Sequence, residues 1–134
     1  MLLHVYSADG SSLRNTSRED ALAAGFSEEE ITAGETQVRQ AEASQECRRR
    51  IYSIAPAETQ MNMAAASAII SSKTSSSRTD EEKAILAGLE AAIGWVSAMR
   101  AAVKTLSGDP SKDFKADEHW PDVPAAAAAI AGQF

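Results

Sequence analysis

A chain of 134 residues with a formal net charge of −6 has room for one modest core, and its acidity argues against phosphate backbones as partners, which need clustered cations. Aromatic residues make up only 5% of it, so the core must be built from small side chains, a composition that favours assembly with further copies. A single cysteine, Cys47, excludes an internal disulfide framework, no run of about 18 apolar residues offers a membrane span, and Met1-Leu2-Leu3-His4 lacks the basic start of a signal peptide.

Residues 2–6 (Leu-Leu-His-Val-Tyr) favour a strand, and Asp9-Gly10 offers a turn returning through Leu13. Residues 1–15 are therefore expected to form an N-terminal strand or hairpin arm. Such an arm is marginal alone and must lie on another surface. A helical domain over 16–110 follows. Thr16 and Glu19 have the spacing of a capping box, opening a short helix from Ser17 to Ala24 that Gly25 closes and Phe26 staples. Ser27 and Glu30 repeat that spacing and open a long helix over 28–54. It ends before Pro56, because proline drives its predecessor out of helical geometry. Ile31, Val38 and Ala41 mark one side of this helix, while Ala43, Cys47, Ile51 and Ile54 mark another. That change of face predicts either two successive contacts or a break near Gly34.

Ala57 to Ile70 predicts a further helix, with Met61, Ala65, Ala68 and Ile69 available for burial and Asn62 a candidate buried amide that fixes helix register. Ser71 to Ser77 is a polar, low-complexity loop. The strongest pattern comes next. Ile85, Leu89, Ala92, Val96, Met99, Val103 and Leu106 recur at spacings of 4, 3, 4, 3, 4 and 3, which keeps one apolar seam on a partner through a helix over 80–107. Thr79 and Glu82 supply its capping box, Gly108 is expected to take a left-handed cap, and Pro110 prevents resumption. Leu86, Ile93 and Trp95 widen the seam beyond that of a two-stranded coiled coil, so the expected fold is mainly α, a helical hairpin or bundle. Gly88 and small alanines permit close helix approach. Residues 111–134 form an irregular tail with a short helix from Ala125 to Ala131, docked on the bundle through Trp120.

Motifs for chemistry are sparse. The helix–Gly-Phe-Ser–helix stretch around Gly25 has the outline of a DNA-reading motif, but Glu28, Glu29 and Glu30 would repel phosphate at the start of its second helix. Arg48, Arg49 and Arg50 span about 200° of a helix, too wide for one ligand, and Glu35, Glu42 and Glu46 are near enough to pair with them. A minority reading gives these arginines an acidic patch on a partner. His4, His119 and Cys47 are scattered, and no phosphate loop, nucleophile elbow or zinc-protease motif occurs. No catalytic residue, metal or cofactor is expected, nor a nucleic-acid, membrane or small-molecule partner. Candidate contacts with partner proteins are Arg48, Arg49, Arg50 and Trp120.

Four stretches carry a resemblance: Cys47-Arg48-Arg49-Arg50-Ile51-Tyr52, Thr59-Gln60-Met61-Asn62-Met63-Ala64-Ala65-Ala66, Trp95-Val96-Ser97-Ala98-Met99-Arg100 and Trp120-Pro121-Asp122-Val123-Pro124. In this order, over residues 40–126, they resemble small proteins and C-terminal regions encoded among bacteriophage and prophage tail and tail-fibre genes. The resemblance implies a non-enzymatic virion component, tail or tail-fibre associated. It would be made in the host cytoplasm and assembled with its own copies, a trimer in a fibre, and with other virion proteins. Two alternatives stand beside it: a capsid decoration or head–tail connector protein, and a cytosolic assembly chaperone or binding module.

Overall fold

The computed structural model describes all 134 residues. The chain opens with an antiparallel hairpin, β1 (Leu3–Tyr6) and β2 (Ser12–Thr16). Leu3 pairs with Thr16 but His4 pairs with Arg14, so Asn15 is an extra residue in the ladder. Its φ of 51° is left-handed, a conformation that asparagine tolerates better than most side chains. Leu3 and Val5 point inward onto Ala21 and Ile31, forming a small core of their own.

Helix α1 (Arg18–Ala23) starts one residue later than the capping spacing predicts. Thr16 is still held in the ladder opposite Leu3, so Ser17 becomes the cap and its hydroxyl accepts from the Asp20 N–H at 3.0 Å. The Thr16 hydroxyl instead donates to the Ser17 carbonyl. At the other end Gly25 has φ 92°, and the N–H groups of Gly25 and Phe26 donate to Leu22 and Ala21. This is the paired closure that glycine makes possible.

Helix α2 (Glu28–Ile54) begins with a complete Ser27–Glu30 capping box and runs unbroken through Gly34. Two successive contacts therefore explain its change of face. Its first half lies under the hairpin, where Gly34 lets the strands approach: a Cβ there would sit 3.0 Å from the His4 carbonyl oxygen. Its second half packs Ala43 and Cys47 against α4 (Asp80–Gly108).

Helix α3 (Ala57–Ser71) presents a different face from the expected one. Met63 and Ile70 are buried, whereas Met61 and Ile69 are 73% and 63% exposed, and Ala65, Ala68 and Asn62 are exposed too. Both sides of this helix are apolar or small, so the sequence has no contrast by which to choose. After the extended Pro56 the choice falls to Met63, which meets Leu89, Ile130 and Ala131.

The loop after α3 contains a short 3₁₀ turn, Ser75–Ser77, and leads into α4 through a complete Thr79–Glu82 capping box. Gly108 does not take the left-handed cap. The helix continues through it, and Asp109 turns extended with φ −123°, as a residue preceding proline prefers. The free carbonyls at this end are satisfied across space. Arg39 of α2 donates from Nη2 to Leu106 and Asp109 at 2.8 and 2.5 Å and from Nε to Ser107 at 3.3 Å. Arg78 closes α3 likewise, through Ile70 and Lys73. By length and composition α4 is also apolar enough to cross a membrane, although it contains no unbroken run of about 18 apolar residues; here its Trp95, Met99, Val103 and Leu106 side forms the main core.

Beyond Pro110 the chain is irregular through a 3₁₀ turn at Asp117–His119, then forms α5 (Ala125–Gln133), two residues longer than expected. Helix α5 crosses α4 at Gly88, where any Cβ would overlap the Ile130 side chain. The architecture is thus mainly helical: two long helices packed together, a crossing pair α3 and α5 at one end, and a small hairpin at the other.

Candidate functional site

Helices α2 and α4 form a hairpin with two long flanks, and the rest of the chain treats them unequally. One flank is covered by residues 111–124, which leave a groove of about 480 Å³ against α4 between Ala98, Leu106, Lys112 and His119. It is the sealed flank in that its large apolar side chains are buried. Trp120 is buried beside Trp95, Met99 and Leu106, and its Nε1 donates to the Phe114 carbonyl at 2.7 Å. Trp95 in turn donates to the Pro121 carbonyl at 3.1 Å, so both indoles bury their rings with their polar edges satisfied. Arg50 ties the segment down: Nη1 donates to Asp117 at 2.7 Å, Nη2 to the Lys115 carbonyl at 2.9 Å, and the guanidinium lies 5.4 Å from the centre of the Trp120 ring.

The opposite flank is open. A groove of about 810 Å³ between α3, α4, α5 and the end of α2 adjoins a second of about 400 Å³ between α2 and α4. They share Ile51, Gln60, Val96 and Arg100 and so run together as one trough. Its floor is apolar, built from half-buried Ile51, Ile54 and Val96 with Met63 and Leu89 towards α3. Tyr52 and Ile93, 46% and 72% exposed, stand on its walls. The only charged side chains lining it are Arg48 and Arg100, and neither forms an ion pair.

The consecutive arginines therefore diverge, as their helical spacing requires. Arg48 faces the trough, Arg49 turns back to Glu46, and Arg50 faces the tail. Glu46 accepts from both Arg49 and Arg50; the Arg49 hydrogen bonds, followed by those of Arg50, hold its carboxyl below the usual glutamate range. Of the four proposed partner contacts, Arg50 and Trp120 are engaged within the chain, while Arg48 and most of Arg49 face solvent. Cys47 also borders the trough, but burial pushes its thiol pKa up and outweighs the opposing pull of Arg100. That keeps it protonated and unreactive.

The seam residues divide between two cores. Met99, Val103 and Leu106 belong to the α2–tail core, and Leu89 to the core with α3 and α5, which Ile85 and Ala92 flank. Val96 lies half-buried at the trough floor. His4 stacks on Tyr6 in the hairpin, and His119 lies 3.5 Å from Glu118, so the two histidines and Cys47 are not brought together. No three His, Cys, Asp or Glu side chains are gathered as a metal site would need. The trough's Tyr52, Ile93 and Arg100 escaped the sequence reading of sites, because nothing in one helix shows which neighbours will be missing from its flank. No protein-family model matches the chain, and no curated protein matches it.

Proposed function

We propose that this chain is a non-enzymatic structural component of a bacteriophage virion, tail or tail-fibre associated, that works by docking its helices against other proteins and its own copies. The observation that carries the docking role is the open trough. A long apolar surface left uncovered beside a well-sealed core is characteristic of a protein that completes itself against a partner. The virion assignment rests on the resemblance over residues 40–126. Polar groups that converge on no common point agree with a scaffold better than with a catalyst.

Quantitative mass spectrometry of purified particles tests this. A few copies per particle is the expected result. Hundreds per particle would replace the tail by the capsid surface. Presence in the lysate with absence from particles would overturn the virion reading and favour an assembly chaperone, the second reading, whose client helix the trough would hold.

A further inference from the structure

We propose that the trough receives helix α3 of a second copy of this chain, each α3 staying on its own core while its outer stripe docks in the other copy's trough about a two-fold axis. This deepens the docking role by naming its surface and occupant. Helix α3 carries the matching surface. Glu58, Met61, Ala65 and Ile69 fall at spacings of 3, 4 and 4, a single stripe along one face. All four are exposed in the single chain. The apolar part of this stripe is a groove-binding pattern, with large anchors two turns apart and a small residue between them.

The trough matches that stripe in length, shape and charge. Helix α3 has 15 residues and spans about 22 Å, while α4 lines the trough from Leu89 to Val103, about 21 Å. The inner wall of the trough is α3's own Ala64 and Ala68, whose small side chains allow a second helix to lie close alongside. Glu58 is the only charged residue of α3 and has no ion-pair partner; Arg48 and Arg100 are the only charged residues of the trough and have none either. In a chain of net charge −6, two unpaired arginines on an apolar trough select an occupant carrying a carboxylate.

Direction follows from Gln60, which lines both grooves beside Arg100 and so marks the N-terminal end of α3 as the arginine end. A second α3 laid parallel to the first brings its Glu58 to that end. The wall (Ala64, Ala68) and the stripe (Ala65, Ile69) are adjoining faces about 100° apart on one helix. With the two-fold axis between the parallel α3 helices, the two Ala64–Ala68 faces therefore meet each other and each stripe turns onto the other copy's trough floor at once. The contact is self-complementary and closes at two copies.

Sedimentation equilibrium of the full chain is expected to give a species of twice its 14.2 kDa mass. Ile69→Asp lies on an exposed position, so the fold, followed by circular dichroism, should persist while dimer affinity falls at least 100-fold. Glu58→Arg alone should weaken the dimer, and the charge-exchanged combination E58R/R48E/R100E should restore it. A wild-type monomer at the highest soluble concentration, a trimer, or a dimer indifferent to Ile69→Asp would each overturn the proposal. A monomer that instead retains an added acidic amphipathic peptide would assign the trough to another protein and overturn it too. The particle measurement is independent. An Ile69-dependent dimer absent from virions removes the virion reading alone, and a virion-bound monomer removes this one alone.

Discussion

The two flanks of the α2–α4 hairpin are built from the same pair of helices yet have opposite fates. On the sealed flank every bulky group has a counterpart: Trp120 covers Trp95, Arg50 spans the junction, and both indole N–H groups reach a carbonyl. On the open flank Ile51 and Val96 remain half-covered, and Arg48 and Arg100 face solvent without partners. The difference does not come from the hairpin, because α2 and α4 each present apolar side chains to both flanks. It comes from 14 residues, 111–124, which can cover one side only. On the proposed docking role, a hairpin with two apolar flanks and one cover is half of an assembly, and that separates stability from recognition: the covered flank holds the single chain together and the open flank is left for a partner.

Breaking the sealed flank should show this most clearly. Trp120→Ala removes the largest side chain of the cover, with an expected loss of roughly 3–5 kcal/mol in chemical denaturation. Gly88→Ala comes next. It forces a methyl into the Ile130 side chain where α5 crosses, and overpacking of this kind costs about 1–3 kcal/mol, visible as a lowered Tm. Arg50→Gln should cost about 1–2 kcal/mol, mostly through the lost hydrogen bonds, since its partner Asp117 is 94% exposed and the ion pair itself is screened.

Acid should loosen the same junction. Glu46, which steadies Arg50, has its folded pKa depressed below the ordinary value of 4.5, chiefly by hydrogen bonds from Arg49. Its contribution is therefore complete above that value and is lost as pH falls through the folded pKa. Tryptophan emission followed from pH 6 to pH 3 should shift red at the low end in the wild type (roughly the carboxylate range), and less steeply in Glu46→Gln. The smallest effect belongs to the open flank. Arg48→Ala should leave monomer stability within about 0.5 kcal/mol, because Arg48 is exposed and makes no ion pair in the single chain. A loss as large as that of Arg50→Gln would erase the distinction between the flanks.

Much of this fold was legible because its boundaries are written locally. The Ser27–Glu30 and Thr79–Glu82 boxes and Pro110 each act within a few residues, so the two long helices could be placed from spacing alone. What was not legible depends on groups distant in the chain. Arg39 closes α4 from 67 to 70 residues away, and no local pattern announces such a cap. Thr16 lost the cap to Ser17 because its pairing with Leu3 outranked the spacing. For α3, Met61 and Ile69 compete with Met63 and Ile70 on opposite faces, and tertiary packing breaks the tie. The trough was hidden for the same reason: its walls come from four helices, and a gap between helices has no sequence of its own.

The crossing of α5 over Gly88 also sets an order of events during synthesis. Ile130 is made 42 residues after Gly88, and Trp120 25 residues after Trp95. At translation speeds of about 5–20 residues per second, the α4 face waits about 1–5 s for Trp120 and about 2–8 s for Ile130. Through that interval the nascent chain displays both flanks, with Trp95, Met99 and Leu106 still lacking Trp120. A chain cut short between 108 and 120 would be a helical hairpin with both apolar flanks uncovered, a form open to aggregation.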